Sequence, residues 1–388
     1  MATRFAVAHS HLANGREAGM ELGCLLMDKL GEVPDIVIAF ISSDCDQSAT
    51  LKSLHETCRP KNMMGCSSAG EFTDNVQDEG LACALAISSD EMFFSVGLGR
   101  DLNQNCEGAA KQIVSSFQYA DMQSTLYRHA LLLADALAGH TEELIEHISQ
   151  RTDGSFTVFG GGAGDNANFS RTPIFFGTEI YENAAVALEI LSNKPIGVGS
   201  FHGWQPSLGP MLVTDADGFR LISLDGRPAV EVFQQYAQET QQVLDLENPI
   251  PFFLHNVLGV EAGVGLYKLR VPLTVDANGA ITCAVEIPKG AVVSIMSGSV
   301  NSTVDAASTA AVHALQQLHS FKPGMVLFFD CVATRLRMGL EFHNELQAVR
   351  SIVGADYIGC NTHGQVVCGT GQFSGFHNCT AVVCVFPA

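Results

Sequence analysis

A unit of strand, helix, strand and glycine-rich turn occurs three times in this chain, and it constrains the fold more than any other feature. In the first unit, the apolar residues 35–41 precede a helix-like stretch at 46–58 and then residues 63–71. The second unit runs over residues 130–165 and the third over residues 325–365. Strands joined through a helix pair in parallel by a right-handed crossover. The sequence therefore predicts an α/β protein with mixed sheets made from repeated strand–helix–strand units.

The ends of the first and third units match closely. Residues 65–71 read Gly-Cys-Ser-Ser-Ala-Gly-Glu and residues 359–365 read Gly-Cys-Asn-Thr-His-Gly-Gln, and an apolar strand follows each. This match predicts two related halves that pack together, since no low-complexity linker separates them. We place the N-terminal domain at 1–205 and the C-terminal domain at 206–388.

The segment between these halves has the pattern of antiparallel hairpins. Residues 211–224 contain two apolar runs around an Asp-Gly turn, which is typical of a tight hairpin. Residues 269–287 repeat this pattern around a turn at 276–279, and residues 228–242 read as a helix with proline in its first turn.

Charge excludes some classes of partner. The chain has 41 acidic and 21 basic residues and a formal net charge of −20. Nucleic acids and anionic membrane surfaces attract clustered Lys and Arg, so we expect neither as a partner. No apolar run approaches the ~18 residues of a membrane span, and the first residues lack a signal-peptide pattern. We therefore expect a cytoplasmic protein.

Apolar residues make up 47% of the chain and charged residues only 16%, against about a quarter charged in a typical domain. The surplus of apolar area is compatible with a large core, an apolar ligand pocket or the interface of a homodimer.

The 12 cysteines form no Cys-x-x-Cys motif, which argues against structural zinc, an iron–sulfur cluster and c-type haem attachment. Cys66 and Cys360 lie in turns, where a nearby base could activate a thiolate, so a cysteine-dependent enzyme is one alternative. Because both recur at equivalent repeat positions, a packing role is favoured. We predict that the protein is not an enzyme.

The glycine-rich turn at 160–165 lacks the lysine of a phosphate-binding loop and opens no apolar-periodic helix. We expect the three glycine turns either to line a shared crevice at the strand ends or to serve only as tight turns.

These motifs together resemble the FIST family, named for F-box and intracellular signal transduction proteins. The resemblance rests on residues 65–71, the 160–165 turn, Gly203-Trp204, the segment 224–229 and residues 359–365 and 376–380. It implies a small-ligand sensor in signalling. Family members usually carry an aromatic residue and a glutamate where this chain has His363 and Gln365.

The chain looks similar to the nitric-oxide-sensing FIST proteins. That similarity implies b-type haem, nitric oxide as the signal and a partner histidine kinase. The runner-up hypothesis is a FIST sensor of another small ligand, such as an amino acid, bound in the crevice of the glycine turns.

A haem sensor needs one neutral imidazole as the axial ligand to iron. His363 is the first candidate ligand because it lies in a glycine-flanked turn, where the backbone can approach a bound ligand closely. A turn histidine bonded only to backbone is the alternative. His202 and His255 complete the candidate ligands, and Gly364 and Gly160 are the candidate cofactor-contacting glycines.

Overall fold

The computed structural model describes residues 3–119, 125–369 and 374–388. Its first unit consists of β1 (Arg4–Ser10), α1 (Gly15–Leu30), β2 (Ile36–Ser42), α2 (Gln47–Cys58), β3 (Asn62–Ser68), β4 (Glu71–Thr73), β5 (Gln77–Asp78) and β6 (Ala82–Ser88). The second unit consists of β7 (Met92–Arg100), α3 (Cys106–Val114), β8 (Tyr127–Ala134), α4 (Thr141–Arg151), β9 (Thr157–Gly162), β10 (Ile174–Phe176), β11 (Glu179–Tyr181) and β12 (Ala184–Ser192).

The third unit is interrupted after its first strand, β13 (Gly197–Phe201). The insertion consists of β14 (Gln205–Asp217), β15 (Arg220–Leu224), β16 (Arg227–Pro228), α5 (Ala229–Glu239), α6 (Ile250–Phe253), β17 (Asn256–Gly263), β18 (Leu266–Arg270), β19 (Pro272–Val275), β20 (Ile281–Cys283) and β21 (Val292–Ser297). The unit then resumes with α7 (Val300–Gln317), β22 (Pro323–Cys331), α8 (Val332–Met338), α9 (Phe342–Val353), β23 (Tyr357–Thr362), β24 (Gln365–Cys368), β25 (Gly375–His377) and β26 (Ala381–Pro387).

The three units have the same topology, which confirms the predicted mixed α/β fold of repeated strand–helix–strand units. The strand orders are β1-β6-β2-β3, β7-β12-β8-β9 and β13-β26-β22-β23. Counted along the chain, the second and third strands of each unit pair in parallel: β2 with β3, β8 with β9, and β22 with β23. The other pairs within each unit are antiparallel. The two predicted hairpins are β14–β15 and β19–β20, and the predicted helix is α5.

Each unit completes its sheet with a hairpin from another unit. The hairpin β10–β11 of the second unit pairs with β3, the hairpin β24–β25 of the third unit pairs with β9, and the hairpin β4–β5 of the first unit pairs with β23. This exchange runs once around all three units, so they form a closed ring with a pseudo-threefold arrangement.

One apolar core lies inside this ring, and each sheet packs its other face against its own pair of helices. The inner core takes residues from all three sheets, including Phe40, Phe159 and Phe329. Three outer cores lie under α1–α2, α3–α4 and α7–α9. Burial of both sheet faces explains why the parallel strands read as continuous apolar runs.

A glycine recurs at one register position of this ring. Gly65, Gly160 and Gly359 lie opposite the incoming hairpin on β3, β9 and β23. A Cβ at these positions would lie 1.9, 2.1 and 1.9 Å from a carbonyl oxygen of the neighbouring parallel strand. The close approach of the backbones therefore requires glycine in all three units.

Candidate functional site

The three glycine turns lie together at one end of the ring. Ala69 donates its N–H to the Asn361 carbonyl, and Asn361 donates to Gly70. Gly162 donates to Gly364, and His363 donates to Gly162. The first and second turns are joined in the same way, since Gly164 donates its N–H to the Ser67 carbonyl. These contacts follow the carboxyl ends of β3, β9 and β23, where α/β sheets usually bind ligands.

His363 lies in this region at the end of β23 and is 6% exposed. Its Nε2 is 3.3 Å from the Asp165 Oδ1 and 3.4 Å from the Asp165 backbone nitrogen, and its ring stacks on Phe169 at 4.8 Å. Burial lowers the pKa of His363 to about 4, although the Asp165 carboxylate acts in the opposite direction. The imidazole is therefore neutral near pH 7.

The Asp165 backbone N–H donates to Nε2, so Nε2 is the acceptor and the proton of the neutral ring lies on Nδ1. Nδ1 is buried and has no hydrogen-bond partner. An unpartnered imidazole nitrogen beside a cavity is available to a ligand, as a hydrogen-bond donor or, in the other tautomer, as an acceptor or a metal ligand.

His363 lines an apolar cavity with a volume of about 100 Å³. The cavity lies between the 165–171 segment, α6, β19 and α8, and its lining is apolar apart from a few groups. Those groups are His363, Asn378 and the Cys331 thiol.

Asp165 also holds the segment that covers His363. Its carboxylate accepts the backbone N–H groups of Phe169, Ser170 and Arg171 at 2.7–3.0 Å. Asn166, Ala167 and Phe169 have φ between 50° and 61°, and such left-handed conformations of non-glycine residues cost about 1–3 kcal/mol each. One buried carboxylate thus joins the imidazole to a strained loop.

His202 and His255 lie elsewhere. His202 has both ring nitrogens engaged, with Nε2 3.1 Å from the Tyr267 carbonyl oxygen and Nδ1 accepting the Trp204 N–H at 3.4 Å. His255 is exposed after α6, and partial burial together with Arg337 lowers its pKa. Of the three predicted histidines, only His363 lines the apolar cavity.

The two predicted glycines pack against protein. A Cβ on Gly160 would meet the Leu132 carbonyl, and one on Gly364 would lie 2.3 Å from the Phe376 ring. Both glycines therefore have a packing reason to be present.

Cys66 and Cys360 lie within β3 and β23 and not in turns, so their predicted placement was wrong; both face the inner core and are fully buried. Burial, together with a hydrogen bond between the two thiols, raises the pKa of Cys360 well above its usual value.

The site matches the predicted haem in its chemistry but not in its volume. A neutral imidazole and apolar surroundings are the required chemistry, and His363 and its cavity supply both. The volume of about 100 Å³ is below the ~300–1,000 Å³ of clefts that bury drug-sized ligands. A macrocycle does not fit this cavity as it stands. Among the described residues, no group of three or more His, Cys, Asp or Glu side chains is arranged to hold a metal ion.

Sequence reasoning missed Asp165 as the partner of His363. In the register of the repeat, Asp165 stands where the other two turns have Gly70 and Gly364. This break in the repeat was the available signal.

The ring defines a mixed α/β protein with a small apolar cavity beside a buried histidine. The chain matches the FIST N domain over residues 35–227 and the FIST C domain over residues 229–368. It belongs to the FIST family, whose domains are signal-transduction sensors, and this confirms the family predicted from its motifs. The second match begins within the insertion, at α5.

A relative from Methanocaldococcus jannaschii, an uncharacterized protein, is 21% identical over 243 residues. The match covers 60% of this chain and 46% of the relative, so this chain spans about half the relative's length.

Several solved structures align with 99% of this chain, and two of them serve as examples. Cyanuric acid hydrolase from A. caulinodans is 7% identical, with 99% of it covered and a TM-score of 0.32. PurLQS from Thermotoga maritima is 8% identical, with 72% covered and a TM-score of 0.24. These scores are too low to bear on the chemistry of this chain.

Among the residues that the structure describes, no helix is long and apolar enough to cross a membrane.

Proposed function

We propose that this FIST protein senses nitric oxide through b-type haem bound beside His363 and regulates a partner histidine kinase. The observation that supports the proposal most is the buried, neutral imidazole whose Nδ1 has no partner and which lines an apolar cavity. The haem, the signal and the kinase come from the resemblance to nitric-oxide-sensing FIST proteins.

The residues around His363 offer a route for the signal. Haem binding would require the cavity of about 100 Å³ beside His363 to widen, and the haem would then supply an iron at which nitric oxide binds. On the protein side, Asp165 orients His363 and also holds Phe169, Ser170 and Arg171. A change in the position of His363 alters its contact with Asp165, and the strained 165–171 segment is then free to rearrange at the surface. We propose this segment as the output of the sensor.

The visible spectrum of the purified protein, with and without added haem and nitric oxide, tests the proposal. We expect a haem band that shifts with nitric oxide and is lost in His363→Ala, because that substitution removes the free imidazole nitrogen. His255→Ala is the matched control and should retain haem, since His255 is exposed and outside the cavity. Protein that takes up no added haem contradicts the haem proposal. Haem retained in His363→Ala, with loss in His202→Ala instead, contradicts the choice of ligand.

A second candidate is a FIST sensor of a small ligand such as an amino acid. The cavity volume favours it, because about 100 Å³ suits a ligand far smaller than haem. Thermal-shift measurements on haem-free protein with a panel of amino acids separate the two candidates. Stabilisation by one amino acid that disappears in His363→Ala would support the second candidate over the first.

A further inference from the structure

A second cavity lies at the carboxyl end of β23, beyond α8 from the cavity beside His363. Its volume is about 420 Å³, and Asn361, Arg335 and Glu71 line it together with β5, which brings Asp78, and with Glu79 just after β5. Leu336 of α8 lines both cavities. The carboxyl ends of parallel strands are where open α/β sheets bind ligands.

Asn361 brings two unpaired polar atoms to this cavity. The residue is 1% exposed, and neither its Oδ1 nor its Nδ2 has a hydrogen-bond partner. Leaving a buried polar group unpaired costs about 1–3 kcal/mol, and such groups are rare in folded proteins. The amide therefore offers one hydrogen-bond donor group and one acceptor to a bound ligand.

Arg335 adds a cationic side chain with one unpaired N–H group. Its side chain is 14% exposed, its Nη1 binds the carboxylate of Glu79, and its Nε has no partner. Arginine holds carboxylates through two parallel N–H groups, which makes it selective for that planar anion. The contact with Glu79 shows that a carboxylate reaches this guanidinium.

Gly70 leaves open the space between the Asn361 amide and the Arg335 guanidinium. A Cβ at this position would lie 2.8 Å from the Asn361 Oδ1 and 3.2 Å from the Arg335 Nε. The amide and the guanidinium thus flank one small volume that only glycine leaves open. Glu71 adds little negative charge there at neutral pH, because burial raises its pKa to about 8 against the effect of its hydrogen bonds and of Arg335.

We propose that this cavity binds a small carboxylic acid that also carries an amide or ureido group. The carboxylate pairs with the Nε edge of Arg335, and the amide or ureido group satisfies both atoms of the Asn361 side chain. Glu79, which is largely exposed, is an internal competitor for Arg335. This site is separate from the histidine cavity, so it does not depend on haem binding.

Thermal-shift and equilibrium-dialysis measurements with N-acetylglycine and ureidoacetic acid test the site, with N-acetylglycinamide as the probe that lacks the carboxylate. We expect the two acids to raise Tm at millimolar concentration and the amide to have no effect. Arg335→Gln and Asn361→Ser should weaken binding at least tenfold. Glu79→Gln should strengthen it, because it removes the competing carboxylate, and this gain is not expected of a merely structural ion pair.

Folding of the variants is controlled within the same set. Ser67 occupies the register position equivalent to Asn361, so serine is already accommodated at this point of the repeat. Asn361→Ser should keep the Tm of the ligand-free protein equal or raise it, since it removes unpaired buried atoms. Leu340→Ala changes a rim residue that is 93% exposed and should bind as the unmodified chain does. Failure of both acids to raise Tm, or equal binding by Arg335→Gln, overturns the proposal.

Discussion

Glu71→Gln is expected to make the protein more stable at pH 8 and to flatten the dependence of its stability on pH. Glu71 is 1% exposed, and burial raises its pKa to about 8. Below pH 4.5 the folded and unfolded chains both hold this proton. As pH rises from 4.5 to 8, only the folded chain keeps it, so each pH unit in that window lowers stability by up to about 1.4 kcal/mol.

The third unit shows why glutamine should be tolerated. Gln365 is the equivalent first residue of the exchanged hairpin, and it donates from Nε2 to the Thr362 hydroxyl and accepts the Thr380 N–H. Glu71 bonds the Ser68 hydroxyl with one oxygen and accepts the Leu81 N–H at 3.0 Å with the other. A protonated carboxyl and an amide fill the same role, and glutamine cannot ionise.

Urea unfolding at pH 5 and at pH 8 measures the effect. Glu71→Gln should gain on the order of 4 kcal/mol over the unmodified chain at pH 8 and less than about 1 kcal/mol at pH 5. Gln365→Glu is the mirror variant and should steepen the loss of stability with pH. Some dependence will remain in Glu71→Gln, because burial also raises the pKa of Asp330, to about 6, and of Glu345. A pH dependence identical in all three proteins contradicts a protonated Glu71.

Much of the fold could be predicted because its main signals are local. Continuous apolar runs, helix-like spacing and glycine turns identified the second and third strands of each unit, and an Asp-Gly turn and an Asn-Gly turn identified two hairpins of the insertion. The hairpin exchange was not predicted. β4 and β10 have three residues each and β24 has four, too short for a periodic pattern, and each pairs with a strand of another unit. Only the closed ring shows why three such short strands are stable.

The candidate site was predicted in part for the same reason. His363 could be selected from its glycine-flanked turn, and it does line an apolar cavity. Its partner Asp165 belongs to a different unit, and the loop that Asp165 holds has no regular pattern. Asn361 read only as a turn residue, because asparagine is common in turns. That its amide has no partner is a property of the packed structure.

Gly359→Ala is expected to destabilise the protein by more than about 3 kcal/mol, beyond the usual range for overpacked cores. The new Cβ would lie 1.9 Å from the Phe328 carbonyl oxygen and 2.3 Å from the Phe72 ring. The first contact is with backbone, which no side-chain rotation relieves. The second is with the hairpin that closes the ring, since Phe72 pairs with Gly359 across β4 and β23. Relief would require β22 and β23 to separate or the exchanged hairpin to leave.

Urea unfolding of Gly359→Ala and Gly263→Ala at one pH tests this account of the ring. Gly263 is the matched control, because a Cβ there would meet only Leu266 side-chain atoms at 3.4 Å or more, and its midpoint should change little. Gly65→Ala and Gly160→Ala should behave as Gly359→Ala does if the three positions are equivalent. A midpoint for Gly359→Ala equal to that of Gly263→Ala would contradict the close backbone approach on which the repeated unit depends.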